Sequence, residues 1–141
     1  MTPNEASSVQ VVFDRSLQIG LPEVDRQHAA LIAEFNRLIA DAQALPNSEL
    51  FTDVLSRLGR ELGDHFRFEE GLFAGLGMPP REIDEHVAAH LEILSQYVEL
   101  NLELMTPLRA RTRAEVLSLV RRWVTDHITA HDIRMREYLP A

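Results

Sequence analysis

The residues of this chain best suited to chemistry are histidines and carboxylates that recur at helical spacing. His65 and Glu69 are four residues apart, so an α-helix places an imidazole and a carboxylate on the same face. Such a pair supplies two ligands to a metal ion. Other segments add His28, then His86 and His90, then His127 with His131 and Asp132. A single histidine is more often solvated, or buried with its hydrogen bonds satisfied, than bound to a metal. Only the positions of these residues taken together indicate a site.

Composition limits the kinds of site that the chain can form. It has 141 residues, of which 45% are hydrophobic, as expected for one domain with a real core. It contains no cysteine, which excludes disulfides, thiolate metal sites, iron–sulfur clusters and a cysteine nucleophile. Any metal must therefore be bound through nitrogen and oxygen. The formal net charge of −8 disfavours nucleic acid and anionic membrane surfaces as partners.

The amino-terminal stretch gives an expectation about location. Residues 1–10 are polar and lack the basic and apolar regions of a signal sequence. No segment approaches the roughly 18 consecutive apolar residues that a membrane-spanning helix requires. The sequence therefore predicts a soluble, cytoplasmic protein that is not bound to a membrane.

Apolar residues at helical spacing divide the chain into an arm and a bundle. Residues 1–21 are predicted to form an extended arm that packs on the domain, and residues 22–141 form the bundle. Helices are predicted at about 22–44, 50–72, 83–104 and from a start between 107 and 113 to 138. Ser48 is predicted to cap the second helix. Short connections between long helices predict an all-α, antiparallel up-down-up-down four-helix bundle.

In this topology the candidate ligands fall at one depth. The starts of the first and third helices and the ends of the second and fourth helices lie at the same end of the bundle. The histidines and carboxylates are all close to these helix ends. At a rise of 1.5 Å per residue, they occupy one layer about 9 to 16 Å below the end of the bundle. Scattered surface histidines have no reason to coincide in depth, so we expect one shared metal site.

The donor set also indicates which metal would bind. Five or six imidazoles with one or two carboxylates exceed the four ligands that a tetrahedral zinc ion takes. Two metals account for the donors better, and imidazole with bridging carboxylates suits iron. No histidine follows a glutamate by three residues, unlike the ligands of ferritin-like di-iron proteins. A nitrogen-rich site favours ferrous iron and stabilises an anionic form of bound dioxygen, which indicates oxygen binding.

Spacing alone leaves two positions open. His127 and His131 share a helix face, whereas Asp132 lies about 140° round an ideal helix from His127. Spacing therefore favours His131 as the ligand from this segment. Glu70 points about 100° away from Glu69, and we expect it to be solvated or to support a ligand from outside the site.

The chain resembles the hemerythrin family, and in particular a single-domain bacteriohemerythrin. The resemblance covers nearly the whole chain and includes seven ligand positions that agree in type, order and spacing. Its motifs are Val-Asp-Arg-Gln-His at 24–28, His65-x-x-x-Glu69-Glu70, Pro80 followed by His86-x-x-x-His90, and Trp-Val-Thr-Asp-His-Ile at 123–128 with Asp132. The family pattern selects Asp132 rather than His131 as the ligand.

The resemblance implies a non-haem di-iron centre with a hydroxo or oxo bridge. One iron would be bound by His86, His90 and His127. The other would be bound by His28 and His65 and would keep an open position for dioxygen. Glu69 and Asp132 would bridge the two irons. Four apolar residues near these ligands are predicted to line a dry oxygen pocket: Leu31, Trp123, Val124 and Ile128.

The implied function is reversible dioxygen binding by a carrier, store or sensor rather than by an enzyme. Dioxygen is the expected partner, and a separate protein partner is left open. Two alternatives remain at this stage. One is a di-iron enzyme that consumes oxygen, peroxide or nitric oxide, and the other is an iron-storage or structural bundle.

Overall fold

The structure, a computed structural model, describes residues 10–41, 49–105 and 113–139. Three long helices come first: α1 (Pro22–Asp41), α2 (Glu49–Phe73) and α3 (Pro80–Leu104). The described ranges contain no strand, and the predicted all-α four-helix bundle is confirmed. The described part of the predicted N-terminal arm is not wholly extended, because it contains a short 3-10 helix (Arg15–Leu17). None of the described helices combines the length and the apolar character that crossing a membrane requires.

The fourth helical segment differs from the single α-helix predicted to residue 138. It consists of α4 (Arg113–Arg121), a π-helical turn (Arg122–Asp126), α5 (His127–Ala130) and a 3-10 helix (Asp132–Tyr138). A π turn closes i→i+5 hydrogen bonds and a 3-10 turn closes i→i+3 bonds, so each changes the direction of the side chains that follow. A period of 3.6 residues therefore does not place the side chains beyond Arg121.

Several predicted boundaries lie outside the described residues. They are the arm residues 1–9, the end of the first helix near residue 44, the cap at Ser48 and the start of the fourth helix between 107 and 112. The end of α3 at Leu104 agrees with its predicted position.

The turns at the site end of the bundle use glycine where the backbone requires it. Gly20 precedes α1 with a φ of 102°, and Gly77 lies between α2 and α3 with a φ of 78°. Residues with a side chain rarely adopt these left-handed values. Pro80 then opens α3, where its missing N–H costs no helical hydrogen bond. These turns set where α1 and α3 begin, and hence the depth of the histidines that follow.

Apolar side chains from every long helix fill the interior away from this end. Phe35, Leu38 and Leu58 are among the largest side chains that are fully buried. Helices α2 and α3 approach each other closely at Gly59, where an added Cβ would overlap the ring of Tyr97. The Tyr97 hydroxyl donates a 3.3 Å hydrogen bond to the Leu55 carbonyl of α2, and this contact also depends on the missing side chain at Gly59.

The described part of the arm, residues 10–21, is fastened to the bundle by hydrogen bonds. The Val11 N–H donates to Asn36 Oδ1, and Asn36 Nδ2 donates to the Val11 carbonyl, both at 2.8 Å. The Ile19 N–H donates to Asp25 at 2.7 Å. From the 3-10 helix, the Arg136 guanidinium donates to backbone carbonyls of the arm. The arm thus connects the start of α1 to the last helical segment.

Candidate metal centre

The seven side chains predicted as metal ligands meet in one buried layer near an end of the bundle. Helices α1, α2 and α3 supply five of them and the last helical segment supplies two. In chain order they are His28, His65, Glu69, His86, His90, His127 and Asp132. None is more than 5% exposed. Buried histidines and carboxylates at this density require compensating charge.

The donor atoms of this layer form two groups. The first contains one atom from each of Glu69, His86, His90, His127 and Asp132. The second contains one atom from each of His28, His65, Glu69 and Asp132. Within each group all donor atoms lie within 4.8 Å of one another. The two carboxylates are therefore common to both groups, and the imidazoles are divided between them.

Glu69 directs one carboxylate oxygen to each group. Its Oε2 atom lies 3.3 Å from His28 Nε2 and 3.2 Å from His65 Nε2. Its Oε1 atom lies 3.2 Å from His90 Nε2 on the other side. A carboxylate in this orientation is placed to bridge two cations.

Asp132 divides its oxygens in the same way. The Oδ2 atom lies 2.9 Å from His28 Nε2. The Oδ1 atom lies 2.7 Å from His86 Nε2 and 3.2 Å from His127 Nε2. Glu69 and Asp132 come from different helical segments, so the two groups are joined from two sides.

Several buried atoms that face the interior of this layer lack a hydrogen bond of suitable geometry. They include both oxygens of Glu69 and the Nε2 atoms of His90 and His127. Burying a polar atom without a partner costs about 1–3 kcal/mol, and more for a charged group. Cations bound between these atoms would satisfy all of them. The burial, type and orientation of the donors therefore fit a metal site.

Two hydrogen bonds behind the imidazoles orient the rings. His65 Nδ1 lies 2.7 Å from Gln27 Oε1, and His90 Nδ1 lies 2.8 Å from Glu70 Oε2. A proton on Nδ1 donates to each acceptor and leaves the Nε2 lone pair directed at the cluster, as metal-binding histidines require. Glu70, which the sequence left as solvated or supporting, is in contact with His90. Sequence reasoning missed Gln27, although its position next to His28 was a usable signal.

Asp132 reaches the cluster because the helix changes form just before it. His131, with φ −122° and ψ −56°, ends α5, and the 3-10 helix begins at Asp132. Asp132 is fully buried, whereas His131 belongs to neither donor group. The His131 ring lies outside, 5.1 Å from the His127 ring. Ideal-helix spacing, which favoured His131, does not describe this segment.

The carboxylates and imidazoles shift each other's pKa values strongly. Burial alone would lower the pKa of His65, but interaction with Asp132 and Glu69 outweighs it and raises this pKa to about 9. Burial and the charge of Asp132 would raise the pKa of Glu69, but the surrounding imidazoles lower it to about 2. The pKa of Asp132 is also well below its usual range, despite its burial. Without metal, protons on imidazole balance the two carboxylate charges.

The four residues predicted to line an oxygen pocket are all buried near the cluster. Leu31 forms part of a cavity wall together with His65. Trp123, Val124 and Ile128 belong to the main apolar core, and Trp123 Nε1 donates to Gln96 Oε1 at 2.9 Å. The contact of these residues with oxygen stays a prediction.

The fold and this layer define an all-α bundle with a buried cluster of histidines and carboxylates able to hold a metal. A family model described as the hemerythrin HHE cation-binding domain matches residues 20–138. The chain therefore belongs to the hemerythrin family, and the resemblance found in the sequence is confirmed. Comparisons with curated proteins and with solved structures gave no match.

Proposed function

We propose that this chain holds two iron ions in the buried cluster and binds dioxygen there reversibly. The observation that carries the proposal is the sharing of Glu69 and Asp132 between two donor groups. A single metal ion needs neither two groups nor carboxylates with oxygens directed to opposite sides. Imidazole and carboxylate ligands suit iron, and no cysteine is present to select a softer metal.

The two donor groups would hold the irons with unequal numbers of protein ligands. His86, His90 and His127 would hold one iron, His28 and His65 would hold the other, and Glu69 and Asp132 would serve both. The first donor group has five members and the second has four. The four-member group would therefore leave more room for an external ligand. Dioxygen is expected to bind on this side.

When bound, the two irons supply the electrons that reversible dioxygen binding requires. The protein residues fix the imidazole orientation and exclude water. Gln27 and Glu70 hold the rings of His65 and His90 from behind. Trp123 is 1% exposed and belongs to the apolar core. A dry surrounding favours release of oxygen over irreversible oxidation of the metal.

The first experiment combines iron content with visible absorption of the anaerobically reduced protein as oxygen is added and then removed. The proposal predicts two irons per chain and an absorption band that appears with oxygen and fades on its removal. Iron that oxidises without returning would favour an enzyme consuming oxygen, peroxide or nitric oxide, or a redox sensor. Variable iron content without a band would favour storage. A reversible band leaves the choice among carrier, store and sensor to measurements of affinity and partners.

A further inference from the structure

A cavity between α1 and α2 lies directly beside one half of the cluster. Its volume is about 260 Å³. The buried residues Leu31 and His65 form its inner wall, and the exposed residue Ala30 lies at its mouth. His65 belongs to the four-member donor group, so the cavity reaches the half of the cluster with more room for an external ligand.

The cavity at His86, in the other half of the cluster, is much smaller. The cavity lined by His86 and His131 has a volume of only about 10 Å³. A space of this size holds at most one water molecule. Among the described residues, both the larger cavity and the smaller number of protein donors favour the His28 and His65 side for an incoming molecule.

The His65 side chain lies between the large cavity and the cluster. It presents Nδ1 to Gln27 and Nε2 to the cluster, and the Nδ1 contact with Gln27 Oε1 is 2.7 Å. Gln27 is half-buried and lines the cavity itself. We expect rotation of this single amide side chain to release the imidazole edge that faces the cavity.

Most charged side chains at the mouth of the cavity are paired. Arg26 Nε donates to Glu23 at 3.0 Å, and Arg67 Nη2 donates to Asp64 at 2.5 Å. The pKa of Glu61, the remaining acidic lining residue, is raised because burial and the charge of Glu34 outweigh the nearby arginine charges. With two ion pairs and one further carboxylate, the mouth selects by size more than by charge and is open to a neutral diatomic molecule.

We propose that this cavity is the access route by which dioxygen and small anions reach the His28 and His65 half of the metal centre. For dioxygen the inference rests on the proposed function, whereas for anions it needs only a metal in the cluster. The structural basis is the large cavity at His65, the water-sized cavity at His86 and the position of the His65 side chain between the large cavity and the cluster.

The test places an indole at the mouth of the cavity and uses azide as the probe. Ala30→Trp fills the mouth, while Ala33→Trp adds the same bulk to an exposed position of α1 that does not line the cavity. Stopped-flow absorption of the oxidised, iron-loaded protein gives the association and dissociation rates of azide. Ala30→Trp should slow both rates by about tenfold and leave the equilibrium affinity unchanged, as expected for a blocked path. Ala33→Trp should behave like the unmodified protein.

Three results would contradict the proposed route. The azide rates could be equal in all three proteins, or both variants could be slowed equally. In the third result Ala30→Trp changes the azide affinity and not the rates, which would mean that the indole disturbs the metal site. If the azide kinetics are as expected but no reversible oxygen band is observed, the result would count against oxygen binding and not against the access route.

A second measurement does not depend on metal. Dissolved oxygen is paramagnetic and enhances the NMR relaxation of the methyl groups that it reaches. In the protein before iron is added, the Leu31 methyls should be enhanced more than those of Leu58, which is fully buried in the apolar core. Ala30→Trp should remove this difference and Ala33→Trp should keep it. Equal enhancement of Leu31 and Leu58 in the unmodified protein would contradict the proposal.

Discussion

The interior of the bundle consists of two unlike layers. One contains five imidazoles and two carboxylates, and the other is filled by apolar side chains such as Phe35, Leu38 and Leu58. Apolar burial contributes about 25 cal/mol per Å² to folding without any ligand. Buried charges gain little unless they are paired, and breaking such a pair is costly. The apolar layer therefore stabilises the fold without a ligand, whereas the polar layer needs a bound cation to balance its buried carboxylates fully.

The largest expected effect comes from removing a carboxylate that both donor groups share. Asp132→Ala takes one donor from each group, so both metals should be lost, with affinity reduced by more than the roughly 10–100-fold typical of outer contacts. Helical circular dichroism should be retained because the apolar layer is untouched. Metal content after gel filtration and the visible spectrum provide the measurement.

The matched control is His131→Ala, the neighbouring residue outside both groups. It should keep the metal content and the spectrum of the unmodified protein. If His131→Ala lost the metals and Asp132→Ala kept them, the assignment of the ligand from this segment would be reversed.

The next effect concerns the acceptors behind the imidazoles. Glu70→Ala removes the partner of His90 and should weaken metal binding in the three-histidine half by about 10–100-fold. Gln27→Ala removes the neutral partner of His65 and should have a smaller effect, because a charged acceptor makes the stronger hydrogen bond. Competition with a chelator of known affinity measures both. Equal losses in the two variants would show that the charge of Glu70 is unimportant.

Metal affinity should also depend on pH through the polar layer alone. The pKa of His65 is raised to about 9 without metal, so below that pH a proton must be displaced before the imidazole can bind. Because binding displaces this one proton, the metal affinity should rise by about tenfold for each pH unit and should level off above about pH 9. The carboxylates stay ionised in this range. Titration with Co²⁺ between pH 7 and 9 checks the slope, and a flat profile would contradict it.

The smallest effects on metal binding are expected from substitutions away from the cluster. Such substitutions should change the stability of the fold and leave the number of bound metals unchanged. Gly59→Ala introduces a Cβ that overlaps the Tyr97 ring, and such overpacking should destabilise the fold by about 1–3 kcal/mol. Gly63→Ala on the same helix has no atom within 4 Å of the added Cβ and should stabilise the fold by up to about 1 kcal/mol through helix propensity. Chemical denaturation measures both changes. Both variants should bind the same number of metals as the unmodified protein; a lower number in Gly59→Ala would mean that the layers are coupled.

The four-helix bundle and the meeting of the histidines in one layer followed from the sequence. Apolar periodicity placed the helices, and the turns containing Gly20 and Gly77 lie close to the positions where the pattern ends. Because a helix rises by a fixed length per residue, distance from a helix end converts directly into depth. His28, His65 and His86 could thus be assigned to one layer without any tertiary contact being known.

The details of the last segment could not be predicted in this way. The inward position of Asp132 depends on the π turn at Arg122–Asp126 and on the 3-10 helix that follows His131. Neither departure from the α-helical form is indicated by local periodicity. The contact of Gln27 with His65 also joins two helices, at a separation of 38 residues. Sequence spacing within one helix contains no information about such a pair.

The π turn has a consequence for the length of this segment. It accommodates one more residue than an ordinary helical turn, and it lies between α4, which packs in the apolar core, and His127. Deleting a single residue within 122–126 would let this turn close as an ordinary α turn and would keep the residues beyond it in nearly the same orientation. His127 and Asp132 would then stay directed at the cluster. When the hemerythrin-like bundle of another chain is aligned with this one, a one-residue gap here is therefore compatible with the same metal site.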